Sequence, residues 1–130
     1  AYYRLGLRLY DEKNYEEAIK NFQKVLEINK NKDLGSFSNW YLGLCYRKLK
    51  QEDKAQECFI NCCLVKGGNE KYMIKSLNEI DFTTMTLEKK DELLLKMYNT
   101  QNDKKNYLDF LSTVVSNMSP EAQSKVTKGK

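Results

Sequence analysis

Leu5-Gly6, Ala18 and Phe22 recur 37 positions later as Leu42-Gly43, Ala55 and Phe59, with identical internal spacing. Self-similarity at a period of roughly 20 to 50 residues marks stacked supersecondary units, each burying its apolar face against the next. Such a chain presents a surface rather than one enclosed active site. The first expectation is therefore binding.

The repeated residues have a physical reason to recur together. Gly6 and Gly43 fall inside helical periodicity, where glycine costs roughly 1 kcal/mol relative to alanine. A cost met twice needs a reason met twice. Ala18 and Ala55 follow their glycines at the same 12-residue offset. A small residue on a second helix would meet a missing side chain on the first, bringing the two helices close. Phe22 and Phe59 lie one turn further on, on the same face.

These residues resemble the tetratricopeptide repeat, a helix–turn–helix unit of about 34 residues with the signature W-x2-L-G-x2-Y, A-x3-F, Pro. The first copy has Tyr2 in the Trp slot, Leu5, Gly6, Leu9 in the Tyr slot, Ala18 and Phe22. The second has Leu42, Gly43, Tyr46, Ala55 and Phe59. Asn14-Tyr15-Glu16-Glu17-Ala18-Ile19 looks like the start of the family's second helix. Two departures stand out: Lys30 and Gly67 replace the terminal proline, and Trp40 lies one position after the family's Trp slot, which holds Asn39. The resemblance covers residues 1–66. It implies an all-α fold in which antiparallel helix–turn–helix repeats stack as a short right-handed α-solenoid.

Helical periodicity and caps predict about eight helices and no strands. They fall over residues 1–10, 15–28, 36–49, 52–65, 69–80, 87–98, 102–117 and from 120 onward, with a loop over 29–35. Asn14 and Thr86 read as caps. Asn102-Asp103 reads as the start of helix seven, Gly67-Gly68 as a helix end, and Ser119-Pro120 as a helix start. The expected organisation is one domain over 1–130: repeat one at 1–31, repeat two at 36–67, degenerate hairpins at 69–118, and a capping helix with a frayed tail at 119–130.

Composition narrows the function classes. The net charge of +4 is spread along the chain, without the one-sided Lys and Arg stripe of a nucleic-acid binder. Lys125, Lys128 and Lys130 read as a solvated tail. No apolar run approaches the roughly 18 residues of a membrane span. No signal-peptide pattern and no initiator Met precede the first repeat, so the expectation is a chain processed or cut from a longer one. Cys45, Cys58, Cys62 and Cys63 lack the paired spacing of a zinc site, and no His accompanies them. Core packing suits Cys62 and Cys63. Reduced thiols imply an intracellular, cytoplasmic setting. No metal and no cofactor is expected. Without His, a phosphate loop or a nucleophile elbow, the chain is not expected to be an enzyme.

In the family, the first helix of each hairpin lines a concave groove. The resemblance thus assigns Tyr3, Leu7 and Tyr10 to a partner-binding groove from helix one, and Phe37, Trp40, Tyr41, Leu44 and Arg47 from helix three. Aromatics and Arg dominate binding hot spots. The partner is another protein or peptide, with self-association through the same face as a further possibility. Some family members hold a terminal carboxylate with a Lys and Asn clamp. Those positions are Tyr3 and Leu7 here, and Tyr41 in the second repeat, so that clamp is absent. Lys71 and Lys75, one turn apart on helix five, suit either an acidic peptide or a solvated face. Two alternative roles remain at this level. One is a helical-repeat appendage of a larger enzyme, such as a bacterial glycosyltransferase, for dimerisation or recruitment of a protein substrate. The other is a peptide-sensing regulator.

Overall fold

A computed structural model describes residues 1–28, 30–101 and 105–128. Among them are eight α-helices and no strand: α1 (Tyr2–Asp11), α2 (Tyr15–Ile28), α3 (Lys32–Lys48), α4 (Glu52–Cys63), α5 (Glu70–Glu79), α6 (Leu87–Gln101), α7 (Leu108–Ser116) and α8 (Pro120–Lys128). Single 3-10 turns lie at Phe82–Thr84 and Lys105–Tyr107. The helix start expected at Asn102-Asp103 and the final two residues of the frayed tail lie outside the described residues.

The chain divides into two compact units, Ala1–Ile80 and Asp81–Lys130. In the first, α1 with α2, α2 with α3, and α3 with α4 form the most extensive helix contacts. This is the stacking of a helical-repeat solenoid. The turns inside the two hairpins are also copies of each other. Lys13 and Lys50 both adopt left-handed φ, at 64° and 61°. Asn14 N donates to Leu9 O at 2.8 Å, and Gln51 N donates to Tyr46 O at 2.9 Å. A left-handed residue followed by such a back-bonded amide closes each first helix and satisfies its orphan carbonyls.

The core of this unit is a row of fully buried residues. Ala18 and Phe22 come from α2, Ala55, Phe59, Cys62 and Cys63 from α4, and Met73 and Leu77 from α5. Burying each Phe contributes about 1.5–3 kcal/mol. A Cβ built on Gly6 would stand 2.8 Å from Phe22 Cε1, and one on Gly43 would stand 2.4 Å from Phe59 Cε1. The two glycines therefore make room for phenylalanine rings. The sequence reading set the alanines against them, but Ala18 and Ala55 lie a turn away, and the long ring is what reaches the glycine backbone.

The loop expected over 29–35 is shorter than that. Asn31 caps α3 by accepting from Leu34 N at 3.1 Å, so Lys32 to Gly35 are helical. Buried Ser36, in this lengthened helix, reaches the start of α5, where its hydroxyl accepts from the backbone N of the N-cap residue Asn69 at 2.8 Å. Gly68 must be glycine here, because its Cβ would come within 2.3 Å of Ser36 Oγ. Gly67 beside it takes φ 73°. Helix α4 accordingly stops at Cys63, two residues before the expected end.

Helix α5 packs on α4 and α3 and falls within the first unit. The sequence reading had grouped it with the later hairpins. The cysteines help to hold it. Cys63 Sγ donates to Met73 O at 3.4 Å, and Cys62 Sγ lies 3.4 Å from Ser36 O and 3.6 Å from Tyr72 O. Burial pushes the Cys62 thiol up to about 12 and raises Cys63 well above the ordinary thiol range, so both stay protonated.

In the second unit, Thr86 caps α6 by accepting from Lys89 N at 3.1 Å. Ser119 caps α8 by accepting from Ala122 N at 3.2 Å, with Pro120 as the first helical residue. Leu94, Met97, Phe110 and Val114 are fully buried.

Candidate functional site

Three helices of the first unit, α1, α3 and α5, bring their aromatic side chains together. All eight residues assigned to the groove are half-buried. Their inner edges rest on the core phenylalanines. The Tyr41 ring stacks on Phe22 with centroids 5.6 Å apart and planes at 14°, and Tyr3 tilts against Phe22 at 5.9 Å. Trp40 tilts against Phe59 at 5.5 Å. Leu7 packs beside the same Ala18 and Phe22 cluster, and Leu44 is half-buried on α3.

The rings also touch one another. Tyr3 lies 5.8 Å from Phe37, Tyr10 5.5 Å from Tyr41, and Tyr41 6.5 Å from Tyr72. Tyr72, on α5, is the residue that sequence reading missed. It sits 4.6 Å from Phe37 and 6.5 Å from Trp40, so it joins α5 to α3. No repeat signature covers α5, and a lone Tyr in a polar helix start carries no signal by itself. Tyr15 extends the cluster at the other end, edge-on to Tyr10 at 5.6 Å.

Tyr3, Tyr10 and Tyr41 keep their phenol protons at neutral pH. Burial, then the neighbouring phenols of Tyr41 and Tyr72, push Tyr3 up to about 12. Burial and the Tyr72 phenol likewise raise Tyr41, whose hydroxyl is hydrogen-bonded to that of Tyr72. Burial raises Tyr10.

Arg47 is engaged within the chain. Its guanidinium donates to both carboxylate oxygens of Glu52, at 3.1 and 2.9 Å, and also to Glu79. These carboxylates hold it firmly charged, and it stands 5.0 Å above the Phe59 ring. It ties α3 to α4 and α5, closing the edge of the aromatic face. Lys75 on α5 places its ammonium 5.1 Å from the Tyr72 ring centre and 5.8 Å from that of Trp40. Of the α5 lysines, it is Lys75 that the structure sets on the aromatic cluster.

Elsewhere, Glu88, Asp91, Glu92 and Glu121 line a cleft between α6 and α8 with Lys125. Asp91 is already bonded to Ser119 there. Among the described residues, no group of three His, Cys, Asp or Glu side chains is placed to hold a metal ion. No described helix is long and apolar enough to cross a membrane.

Comparison with known families agrees with the repeat geometry. Residues 1–32 match one model of the tetratricopeptide repeat, and residues 39–68 match another. No curated protein and no solved structure matches the chain.

Proposed function

This chain carries two tetratricopeptide repeats over residues 1–68, units that generally mediate protein–protein interaction, and we propose that it binds a peptide or protein segment across the aromatic face of α1, α3 and α5. The carrying observation is the unbroken series of half-exposed rings from Tyr10 through Tyr41 and Tyr72 to Phe37 and Tyr3, with Trp40 beside them. A half-exposed ring whose inner edge rests on a rigid core loses little conformational freedom on binding. It also offers a large apolar area, as hot-spot residues do. The partner's apolar side chains would seat against Trp40, Tyr41 and Tyr3, with Leu7 and Leu44 beside them. Arg47 would act as a rim that holds the helices, because its guanidinium is already paired with Glu52 and Glu79.

Peptides selected from a random display library against the full chain test the proposal. Binders should lose about 2 kcal/mol or more with Trp40→Ala, and the emission of this sole Trp should shift to the blue on binding. Selected peptides that bind Trp40→Ala as well as the native chain would overturn it. So would a dimer in sedimentation that Trp40→Ala dissolves, since the face would then be closed by a second copy.

A further inference from the structure

We propose that the aromatic face reads an acidic group on its ligand, a carboxylate received by the Lys75 ammonium where it stands over the rings of Tyr72 and Trp40. This rests on the peptide-binding reading of that face.

The charges around the face are unequal in their engagement. Arg47 is neutralised by Glu52 and Glu79. Lys75 has no such partner: among the described residues, no carboxylate lies within ion-pair distance of its ammonium, and Glu79, one turn further along α5, is bonded to Arg47. Its position over the rings of Tyr72 and Trp40 is set by cation–π attraction. The face therefore carries a positive charge that is already oriented and lacks a counter-charge. Lys71, one turn earlier on the same helix, adds to the positive potential. The nearest acid at the other end of the cluster is Asp11, beside Tyr10 and Tyr41.

The hydroxyl groups point the same way. Burial and neighbouring phenols raise Tyr3 on α1 and Tyr41 on α3 above the ordinary tyrosine range, so both keep their protons at neutral pH. Neutral phenols on this face set no negative charge against an acidic ligand, and a hydrogen bond from an ammonium to a carboxylate is about twice as strong as a neutral one. A cationic ligand, the other usual guest of aromatic rings, would meet Lys75 already in its place and be repelled.

The same display selection decides, run in parallel on the native chain and on Lys75→Glu. Lys75 is solvent-exposed, so the substitution leaves the core untouched. Peptides from the native chain should be enriched in Asp or Glu beside apolar residues. A synthetic acidic binder should weaken about tenfold with Lys75→Glu, weaken similarly when its own Glu is replaced by Gln, and keep its affinity with Lys75→Arg. Binders that need Trp40 but show no acidic enrichment, and that ignore Lys75→Glu, would overturn the acidic specificity and leave the peptide-binding reading standing. Binders indifferent to Trp40, or no binders at all, would overturn both.

Discussion

A methyl group at Gly43 would sit 2.4 Å from the Phe59 ring, one at Gly6 2.8 Å from the Phe22 ring, and one at Gly35 no closer than 3.8 Å to Val65. All three glycines are helical, so each Ala substitution gains up to about 1 kcal/mol of helix propensity. At Gly43 the buried ring would have to move, and overpacking costs about 1–3 kcal/mol. Gly43→Ala should therefore destabilise most and Gly6→Ala less, while Gly35→Ala should stabilise by about 0.5–1 kcal/mol. Denaturant unfolding of the three variants checks the order. Equal effects would mean that the two repeat glycines do not mark the ring crossings. The recurrence of these glycines was plain in the sequence, but their neighbour was not. Ala18 and Phe22 lie on one face of the same helix, and only the crossing geometry shows which of them reaches Gly6.

Repeat position alone does not set a side chain's energetic role. Leu5 and Leu42 hold the same position in the two repeats, yet Leu5 is 42% exposed and Leu42 only 3%. Helix α2 is the cause, since Ala18, Ile19 and Phe22 cover Leu42 and Cys45 on α3. Leu42→Ala should cost about 2–5 kcal/mol as a core truncation. Leu5→Ala should cost well under half of that, measured as the shift in denaturation midpoint. Comparable losses would show that something covers α1 in solution. The helices themselves were legible wherever apolar spacing, a cap and a stop agreed, as in α2. The start of α3 was not, because Gly35 within a polar stretch reads as a loop, and the decisive signal was the amide-capping side chain of Asn31. Among the site residues, the rings of α1 and α3 followed from the repeat. Tyr72 did not, and Lys75 stood out only as one of two lysines suited to an acidic peptide, since the helix that carries them lacks the repeat signature and joins the face only through tertiary contacts.

The two compact units each have their own buried core, and the second is held by a contact with no counterpart in the repeats. Asp91 on α6 accepts from Ser119 N at 3.0 Å and from the Ser119 hydroxyl. That hydroxyl in turn caps α8 through Ala122 N. The Ser119 hydroxyl and backbone bonds hold the Asp91 carboxyl below its ordinary range. A carboxyl depressed in the folded state binds protons more readily when unfolded. Its contribution is therefore fully present above the unfolded value of about 3.9 and fades as pH falls through the lower folded value. Asp91→Ala removes the acceptor at every pH and should cost about 1 kcal/mol, the net worth of a hydrogen-bonded cap. Amide exchange in α8 should speed up accordingly at neutral pH. In the native chain, the same acceleration should appear only below about pH 4, over the range where Asp91 becomes protonated. Exchange in α8 that is identical in the variant and the native chain at neutral pH would show that Asp91 does not hold the start of this helix. The sequence had marked Ser119-Pro120 as a helix start, and a cap whose own hydroxyl is oriented by a carboxylate from another helix makes that start depend on the fold around it.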